Sequence, residues 1–306
     1  MSAPDLSICI LNWNTKDLLR ECLRSLFETR HGFGGILEII VADNASEDGS
    51  ADMVRHEFPQ ARLVQNERNL LYAAGNNAAA AQANGRYVCF LNSDTLVDCA
   101  ELTKMISFMD VHRAAGICGP LQLDGQGAIC RVQDPFPSVG FYLRRLVGLN
   151  RHRTSAYQPG DDPVLLDVVS GACLIIRADL GRRLGYFDER FDLYANDVDL
   201  CFRARQAGYE VWYLPNCQIV HHGGRSTDRM SDEATDAKFL TARIAFLDRH
   251  YGPVRARVLK ALFVAQMYRW VLTRALGHAL SLGRSQRRRE RLHGALRLLR
   301  ALRQRQ

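Results

Sequence analysis

Leu6-Ser-Ile-Cys-Ile-Leu-Asn12, Lys16-Asp-Leu-Leu-Arg-Glu-Cys-Leu-Arg-Ser-Leu-Phe-Glu28 and Leu37-Glu-Ile-Ile-Val-Ala42 follow one another near the start of the chain. The first and third runs are apolar almost throughout and of strand length, as expected of strands buried on both faces. The middle run places Leu18, Leu19, Cys22, Leu23, Leu26 and Phe27 at helical spacing. The same alternation continues outward. Ser50 to Phe58 reads as a helix, Ala61 to Val64 as a short strand, Ala73 to Ala83 as an Ala-rich helix and Arg86 to Leu91 as a fourth strand. Strands alternating with helices through short loops predict an α/β fold with a mostly parallel sheet flanked by helices. Right-handed crossovers then bring the C-terminal strand ends to one edge, where such sheets bind ligands. Polar residues stand at those ends: Asn12-Trp13-Asn14, Asp43-Asn44, Asn66 and Asn92-Ser93-Asp94.

Farther on the pattern loosens. Gly116 to Leu123 and Leu166 to Ile176 read as strands, with four prolines and an amphipathic stretch, Phe141 to Leu149, between them. Asn196 to Gln206 reads as a helix, Tyr209 to Leu214 as a strand, His221-His222-Gly223-Gly224 as a glycine-rich loop, and Glu233 to Tyr251 as a helix. No internal repeat or long linker precedes residue 251, so residues 1–250 read as one domain and 251–306 as a helical appendix. In the appendix, Leu292, Leu296, Leu299 and Leu302 recur at spacings of three and four among arginines, the pattern of a basic amphipathic helix.

Composition narrows the class. The chain has 306 residues, 47% hydrophobic and 24% charged, too apolar for a disordered protein. Its formal net charge of +7 is unevenly placed: residues 251–306 hold 14 Lys+Arg and one Glu, leaving 26 basic and 32 acidic groups in the rest. An acidic body carries a basic tail. The nine cysteines are odd in number, form no Cys-x-x-Cys pair and mostly lie in apolar runs, as expected of buried thiols in a reducing cytoplasm. No basic leader precedes the first strand, and the apolar stretch Val258 to Leu282 is broken by Lys260, Arg269, Arg274 and His278, which argues against a spanning helix.

The chemistry-bearing residues sit at the strand ends and in two later segments. Gly-x-Gly-x-x-Gly and Walker A motifs are absent, which disfavours a dinucleotide dehydrogenase and a P-loop NTPase. Asp43, at a strand end, is placed to accept hydrogen bonds from a base or ribose, or to start a turn before the next helix. Asn92-Ser93-Asp94 could hold Mg²⁺ or Mn²⁺ against a diphosphate, or form an Asx-turn. Asn196-Asp197-Val198-Asp199 opens a helix, where carboxylates favour the macrodipole; a general base would take the same place. His221 or His222 could add a third metal ligand or be polar surface.

As an ordered set, these segments resemble the family 2 glycosyltransferases with a GT-A fold, in particular the rhamnosyltransferase-like branch. The resemblance rests on Ser7-Ile-Cys-Ile-Leu-Asn-Trp-Asn14, Ile40 to Ser50, Asn69-Leu-Leu-Tyr-Ala-Ala-Gly-Asn-Asn77, Phe90-Leu-Asn-Ser-Asp-Thr95, Gly171 to Arg177, Gly185 to Phe191, Asn196 to Arg203 and His221 to Ser226, and it spans about residues 5–250. It implies a nucleotide-binding half over about 1–115 and an acceptor half over 116–250. It places Asn12, Trp13, Asn14, Asp43, Asn69, Asn76 and Asn92 at the nucleotide, with Asp43 reading a pyrimidine. Asp94 and His221, with His222 the alternative, would hold a divalent cation. Asp197 would be the base, and Asn196, Asp199 and Gly171 would face the sugars. The implied reaction is inverting and single-step. The implied donor is a dTDP- or UDP-sugar, with rhamnose one candidate sugar. A glycan or lipid-linked acceptor receives it in cell-surface polysaccharide synthesis.

Two positions depart from the family pattern. Position 196 is Asn where Glu is usual, which removes a neighbouring anion and should ease ionisation of Asp197. Position 71 is Leu where Gly is usual, a substitution that is strained if the backbone there has positive φ. For the tail, attachment to an anionic inner-leaflet surface is preferred to nucleic-acid binding, because no aromatic residue lies in its arginine-dense end. The alternatives are a non-catalytic sugar-nucleotide-binding or scaffold protein of the same fold, or a nucleic-acid-binding protein acting through the tail.

Overall fold

The computed structural model describes residues 3–130, 135–147, 149, 157–191, 194–223 and 232–280. The chain divides into two compact units. The first comprises Met1–Phe136, Arg153–Asp192 and Asn196–Ser226; the second comprises Pro137–His152, Leu193–Ala195 and Thr227–Gln306.

The first unit is built on one sheet. Its strands are β1 (Leu6–Asn12), β2 (Leu37–Asp43), β3 (Arg62–Gln65), β4 (Tyr87–Asn92), β5 (Thr95–Leu96), β6 (Ala115–Leu123), β7 (Val164–Leu165), β8 (Cys173–Arg177) and β9 (Glu210–His221). The order is β3-β2-β1-β4-β8-β6-β9-β5, with β7 on β9. The β1–β2, β1–β4, β2–β3 and β6–β9 pairs are parallel; β8 runs antiparallel to both β4 and β6, and β5 and β7 run antiparallel to β9. The sheet is mixed and mostly parallel, as the sequence predicts.

Strand alternation feeds two cores. Leu6, Ile8 and Ile10 face one layer, which includes Leu19, Leu23 and Leu26 of α1 (Lys16–Glu28) and Leu102 and Met105 of α4 (Cys99–Val111). Cys9 and Phe90 face the other, with Ala73 and Ala79 of α3 (Leu71–Ala80), Leu180 of α6 (Ala178–Leu184) and Leu200 and Ala204 of α7 (Asn196–Gln206). α2 (Ser50–Glu57) completes the first layer. Each cysteine expected in a strand or helix core is buried, and all nine are free thiols.

Three expectations change. The single strand expected over Leu166 to Ile176 is instead β7 and β8 with a loop between them; the backbone of Gly171 in that loop is used by side chains rather than by a ladder. The strand expected to stop at Leu214 runs on to His221, because β6 continues to pair with it across an irregularity between Pro120 and Leu121. His221 is therefore a strand residue opposite Thr95, not part of a loop. The helix expected from Ala73 begins two residues earlier, at Leu71.

The second unit holds α5 (Val139–Leu146), α8 (Asp232–His250) and α9 (Pro253–Leu280). Ser138 caps α5 by accepting from the Phe141 N–H at 3.1 Å. Tyr142 is fully buried, its ring 6.1 Å from Phe263 of α9, and the Tyr251 hydroxyl donates to the Pro137 carbonyl at 2.7 Å. Helix α8, read from sequence as the end of the first domain, thus groups with α9. The arginine-rich stretch with Leu292, Leu296, Leu299 and Leu302 lies outside the described residues, as do Arg225 and Ser226.

Candidate active site

The ends of β1 and β2 are tied by side chains. Asn12, fully buried, donates through Nδ2 to Asp43 Oδ1 at 2.8 Å and to Ser46 Oγ at 3.1 Å. Its Oδ1 accepts from Thr15 Oγ1 at 2.7 Å, and Thr15 in turn lies 2.9 Å from Ser93 Oγ after β4. Asp43 Oδ2 accepts from the Ser46 N–H at 2.9 Å. Asn14 turns with φ 53°, its N–H donating to Ser46 Oγ while its Oδ1 accepts from the Glu47 N–H. The network ties the three strand ends to one another. Asp43, fully buried, thus braces β1 against β2 through both of its oxygens. Trp13, between the two asparagines, is 38% exposed.

The loop before α3 is organised by Asn44, which the sequence reading placed at a strand end without a role. Its Nδ2 donates to Asn69 Oδ1 and to the Leu71 carbonyl, each at 3.1 Å, and its Oδ1 accepts from Asn66 at 2.8 Å. Asn69 also accepts from the Leu71 N–H at 2.8 Å. Leu71 has φ 63°. The glycine-like backbone is therefore kept although the residue is leucine, and the hydrogen bonds from Asn44 and to Asn69 hold the strained conformation. Gly75 lets α3 approach: a Cβ there would lie 2.5 Å from Leu11 Cδ1 and 3.0 Å from the Asn44 amide. Asn76 is buried and donates to the Tyr72 carbonyl one turn earlier, so its amide stays within the helix. Asn77, which sequence reasoning missed, clips α3 to the loop after α6 by donating to the Phe187 carbonyl and accepting from the Phe187 N–H.

Asp94 and His221 meet. Asp94 Oδ1 is 3.2 Å from His221 Nε2, and Asn92 Nδ2 is 3.5 Å from the same nitrogen. The β5–β9 pairing makes this contact, with the His222 N–H donating to the Asp94 carbonyl at 3.0 Å. The His222 ring, by contrast, packs near Gly125, where an added Cβ would lie 2.8 Å from its Nδ1. Among the described residues no three His, Cys, Asp or Glu side chains gather as a metal cluster.

The start of β8 supports the third group. The Asn92 N–H donates to the Ala172 carbonyl at 2.9 Å, which brings Gly171 to the end of β4. The Gly171 N–H donates to Asp197 Oδ2 at 3.2 Å, and the Val198 N–H donates to Asp197 Oδ1 at 2.8 Å. The Gly171 carbonyl accepts from the Tyr72 hydroxyl at 3.0 Å. A Cβ at position 171 would lie 2.8 Å from that hydroxyl and would have to displace it. Burial pushes the Asp197 carboxyl above its ordinary range, opposed by the N–H bonds from Gly171 and Val198. Tyr72 is raised far above a normal phenol, first by burial and then by the charges of Asp197 and Asp94.

Asn196 and Asp199 differ sharply. Asn196 is 3% exposed, and among the described residues neither its Oδ1 nor its Nδ2 has a hydrogen-bond partner. Asp199 is fully buried and accepts from Arg203 Nε at 2.6 Å, while Arg203 also donates to the carbonyls of Leu184 and Tyr186. Asp199 is therefore a packing anchor of α7, not a sugar ligand as expected: its carboxylate is neutralised and carries no exposed surface.

Comparison with known proteins fits this arrangement. The family model of glycosyl transferase family 2 matches residues 7–181. The chain belongs to this family. It is 28% identical over 282 residues to the N-acetylglucosaminyl-diphospho-decaprenol L-rhamnosyltransferase of Mycobacterium tuberculosis, covering 84% of this chain and 88% of that protein. It is 24% identical to the rhamnosyltransferase WbbL of Escherichia coli K12, covering 70% of this chain and 82% of that protein. Among solved structures, a mannosyltransferase from Pyrobaculum calidifontis in complex with GDP-Man and Mn²⁺ matches with TM-score 0.62 at 18% identity, over 99% of this chain and 87% of that one. Staphylococcus aureus TarS 1–349 with UDP-GlcNAc matches with TM-score 0.57 at 16% identity, over 95% and 79%. The fold is that of the GT-A glycosyltransferases, and this family 2 member is a rhamnosyltransferase-like glycosyltransferase.

Proposed function

We propose that this glycosyltransferase is inverting and metal-dependent. In this reading it moves a sugar, rhamnose first among the choices, from a dTDP- or UDP-sugar to a hydroxyl of a lipid-linked glycan in cell-surface polysaccharide synthesis. The observation that carries the proposal is Asp197. Its carboxyl is raised by burial and aimed by the Gly171 N–H, at the sheet edge that also holds the Asp94–His221 pair.

Residues of about 1–115 form the nucleotide half in this reading, and 116–250 the acceptor half. Trp13, partly exposed, is the aromatic residue on which the base would stack. Asn69 and Asn44 shape the loop beside it. Asp197 takes the proton from the acceptor hydroxyl as that oxygen attacks the anomeric carbon from the face opposite the diphosphate; the C–O bond to the acceptor forms as the bond to the diphosphate breaks. Asn196, buried with an unsatisfied amide, supplies a donor and an acceptor for a sugar hydroxyl, which offsets the roughly 1–3 kcal/mol cost of leaving such a group unpaired.

The donor set fits a divalent cation. Asp94 provides a carboxylate and His221 an imidazole with Asn92 beside it, a mixed oxygen and nitrogen set suited to Mn²⁺ or Mg²⁺ once diphosphate oxygens complete it. Such an ion would neutralise charge on the departing diphosphate. The name of the Mycobacterium tuberculosis relative supports a diphospho-decaprenol-linked acceptor. An acceptor of that kind is reached at the inner face of the cytoplasmic membrane, with residues 251–306 as the basic contact. The competing reading is a non-catalytic sugar-nucleotide-binding protein, favoured only by Asn196 in place of the usual Glu.

A panel of nucleotide sugars separates the two. Incubated with the protein and Mg²⁺, Mn²⁺ or a chelator, one dTDP- or UDP-sugar should release its nucleotide diphosphate with either metal and not with chelator. No release from any donor supports the non-catalytic reading, and full release under chelation removes the metal.

A further inference from the structure

Helix α9 has two apolar faces. One is packed inside the second unit through Ala256, Leu259, Phe263 and Met267, all buried. The other faces water. Val254, Val258, Ala261, Ala265, Tyr268 and Leu272 are all exposed and are spaced alternately by four and three residues. The large members keep much of their surface: Val254 71%, Val258 44%, Tyr268 42% and Leu272 61%, with Leu276 at 63% extending the line. No polar residue interrupts this stripe, which is about 33 Å long at 1.5 Å per residue. Isolated exposed apolar residues are ordinary, but a continuous line marks an interaction surface.

Charge decides what covers it. Residues 253–280 contain five Lys+Arg and no Asp or Glu. Lys260 is held by Asp248 at 2.5 Å, whereas Arg255 and Arg257 are exposed beside the stripe and Arg269 is half-exposed. The seven-residue spacing would suit a helix partner. A second copy, however, would set these arginines against their own counterparts with no carboxylate on the helix to pair them. An anionic lipid surface meets both features at once, taking the apolar stripe into the headgroup–acyl boundary and the arginines against its phosphates. Among the described residues no helix is long and apolar enough to cross a membrane.

We propose that the Val254–Leu276 face of α9 lies in the interface of an anionic bilayer, inserted by its apolar stripe. This deepens the reading of a lipid-linked acceptor and rests on it. It differs from attachment by the arginine-rich end of the chain, because apolar insertion rather than charge holds the helix.

The test is flotation of the full chain with two kinds of vesicle. One is phosphatidylcholine alone; the other contains about one part phosphatidylglycerol to two of phosphatidylcholine. The expected result is co-flotation with the anionic vesicles only. The charge-neutral double substitution Val258→Gln/Leu272→Gln should weaken it by about tenfold or more. Leu272→Trp should keep binding and show a blue-shifted emission on anionic vesicles. Flotation unaffected by the double substitution would assign attachment to charge alone and overturn the proposal. So would an unshifted emission from the Leu272→Trp protein while bound, or a dimer in sedimentation that the double substitution converts to monomer. Nucleotide diphosphate release, measured on the same proteins without vesicles, should be unchanged. Its absence in the wild type would sink the catalytic reading, while a wild type that releases nucleotide diphosphate but does not float with anionic vesicles would sink only the membrane face.

Discussion

Asp197 owes its position to one glycine peptide unit and one tyrosine. Tyr72 donates to the Gly171 carbonyl, and the Gly171 N–H donates to Asp197. Tyr72 is thus a positioning residue. Tyr72→Phe should lower kcat by roughly tenfold while leaving donor KM unchanged. Loosening the N–H bond that favours the carboxylate should also move the acid limb of the pH–kcat profile upward. In the wild type that limb should already lie above the ordinary aspartate range, because burial raises the Asp197 carboxyl; activity is present above this pKa and lost as pH falls through it. An unchanged limb in Tyr72→Phe would reduce Tyr72 to packing. Leu71 is the other telling residue. A non-glycine residue with φ near 63° stores about 1–2 kcal/mol, part of which glycine would give back in unfolded-chain entropy. Leu71→Gly should therefore stabilise the protein by about 1 kcal/mol in denaturant unfolding.

At the level of elements, α7 is pinned by a buried ion pair. Removing Asp199 leaves Arg203 charged and only its two carbonyl contacts in place. Asp199→Ala should cost about 3–5 kcal/mol in chemical unfolding. Strands β1, β2 and β4 were legible because each is a near-continuous apolar run ending in a polar residue, and α1 and α7 because their boundaries are marked by charge and spacing. Strands β5 and β7 were not. Two residues carry no period, and both exist only because β9 offers an edge. The site was legible in part for the same reason. Asp94, His221, Gly171 and Asp197 stood out by residue type and order, and the topology brings them to one edge. Tyr72 and Asn77 did not stand out, since their partners lie 99 and 110 residues away and no local spacing encodes such a contact. Asp199 misled because a carboxylate in a motif looks the same whether it faces a ligand or, fully buried and paired with Arg203, anchors a helix.

Across the whole molecule, the split between an acidic body and a basic tail does not coincide with the structural division. The second unit takes in residues 137–152 and α8 as well as α9. Truncation after Tyr251 should consequently unfold more than a tail. It would uncover Tyr142 beneath Phe263 and cost the second unit about 3 kcal/mol or more. Proteolysis within residues 137–149, slow in the full chain and rapid in the truncated one, would show it. In the proposed reaction, a partly buried carboxylate at the sheet edge, Asp197, removes the acceptor proton. Asp197→Asn keeps the volume and the edge while abolishing the base. Sugar transfer should fall by about a thousandfold or more while calorimetry returns an unchanged donor affinity. Transfer at the wild-type rate, with donor affinity also unchanged, would contradict that role for Asp197.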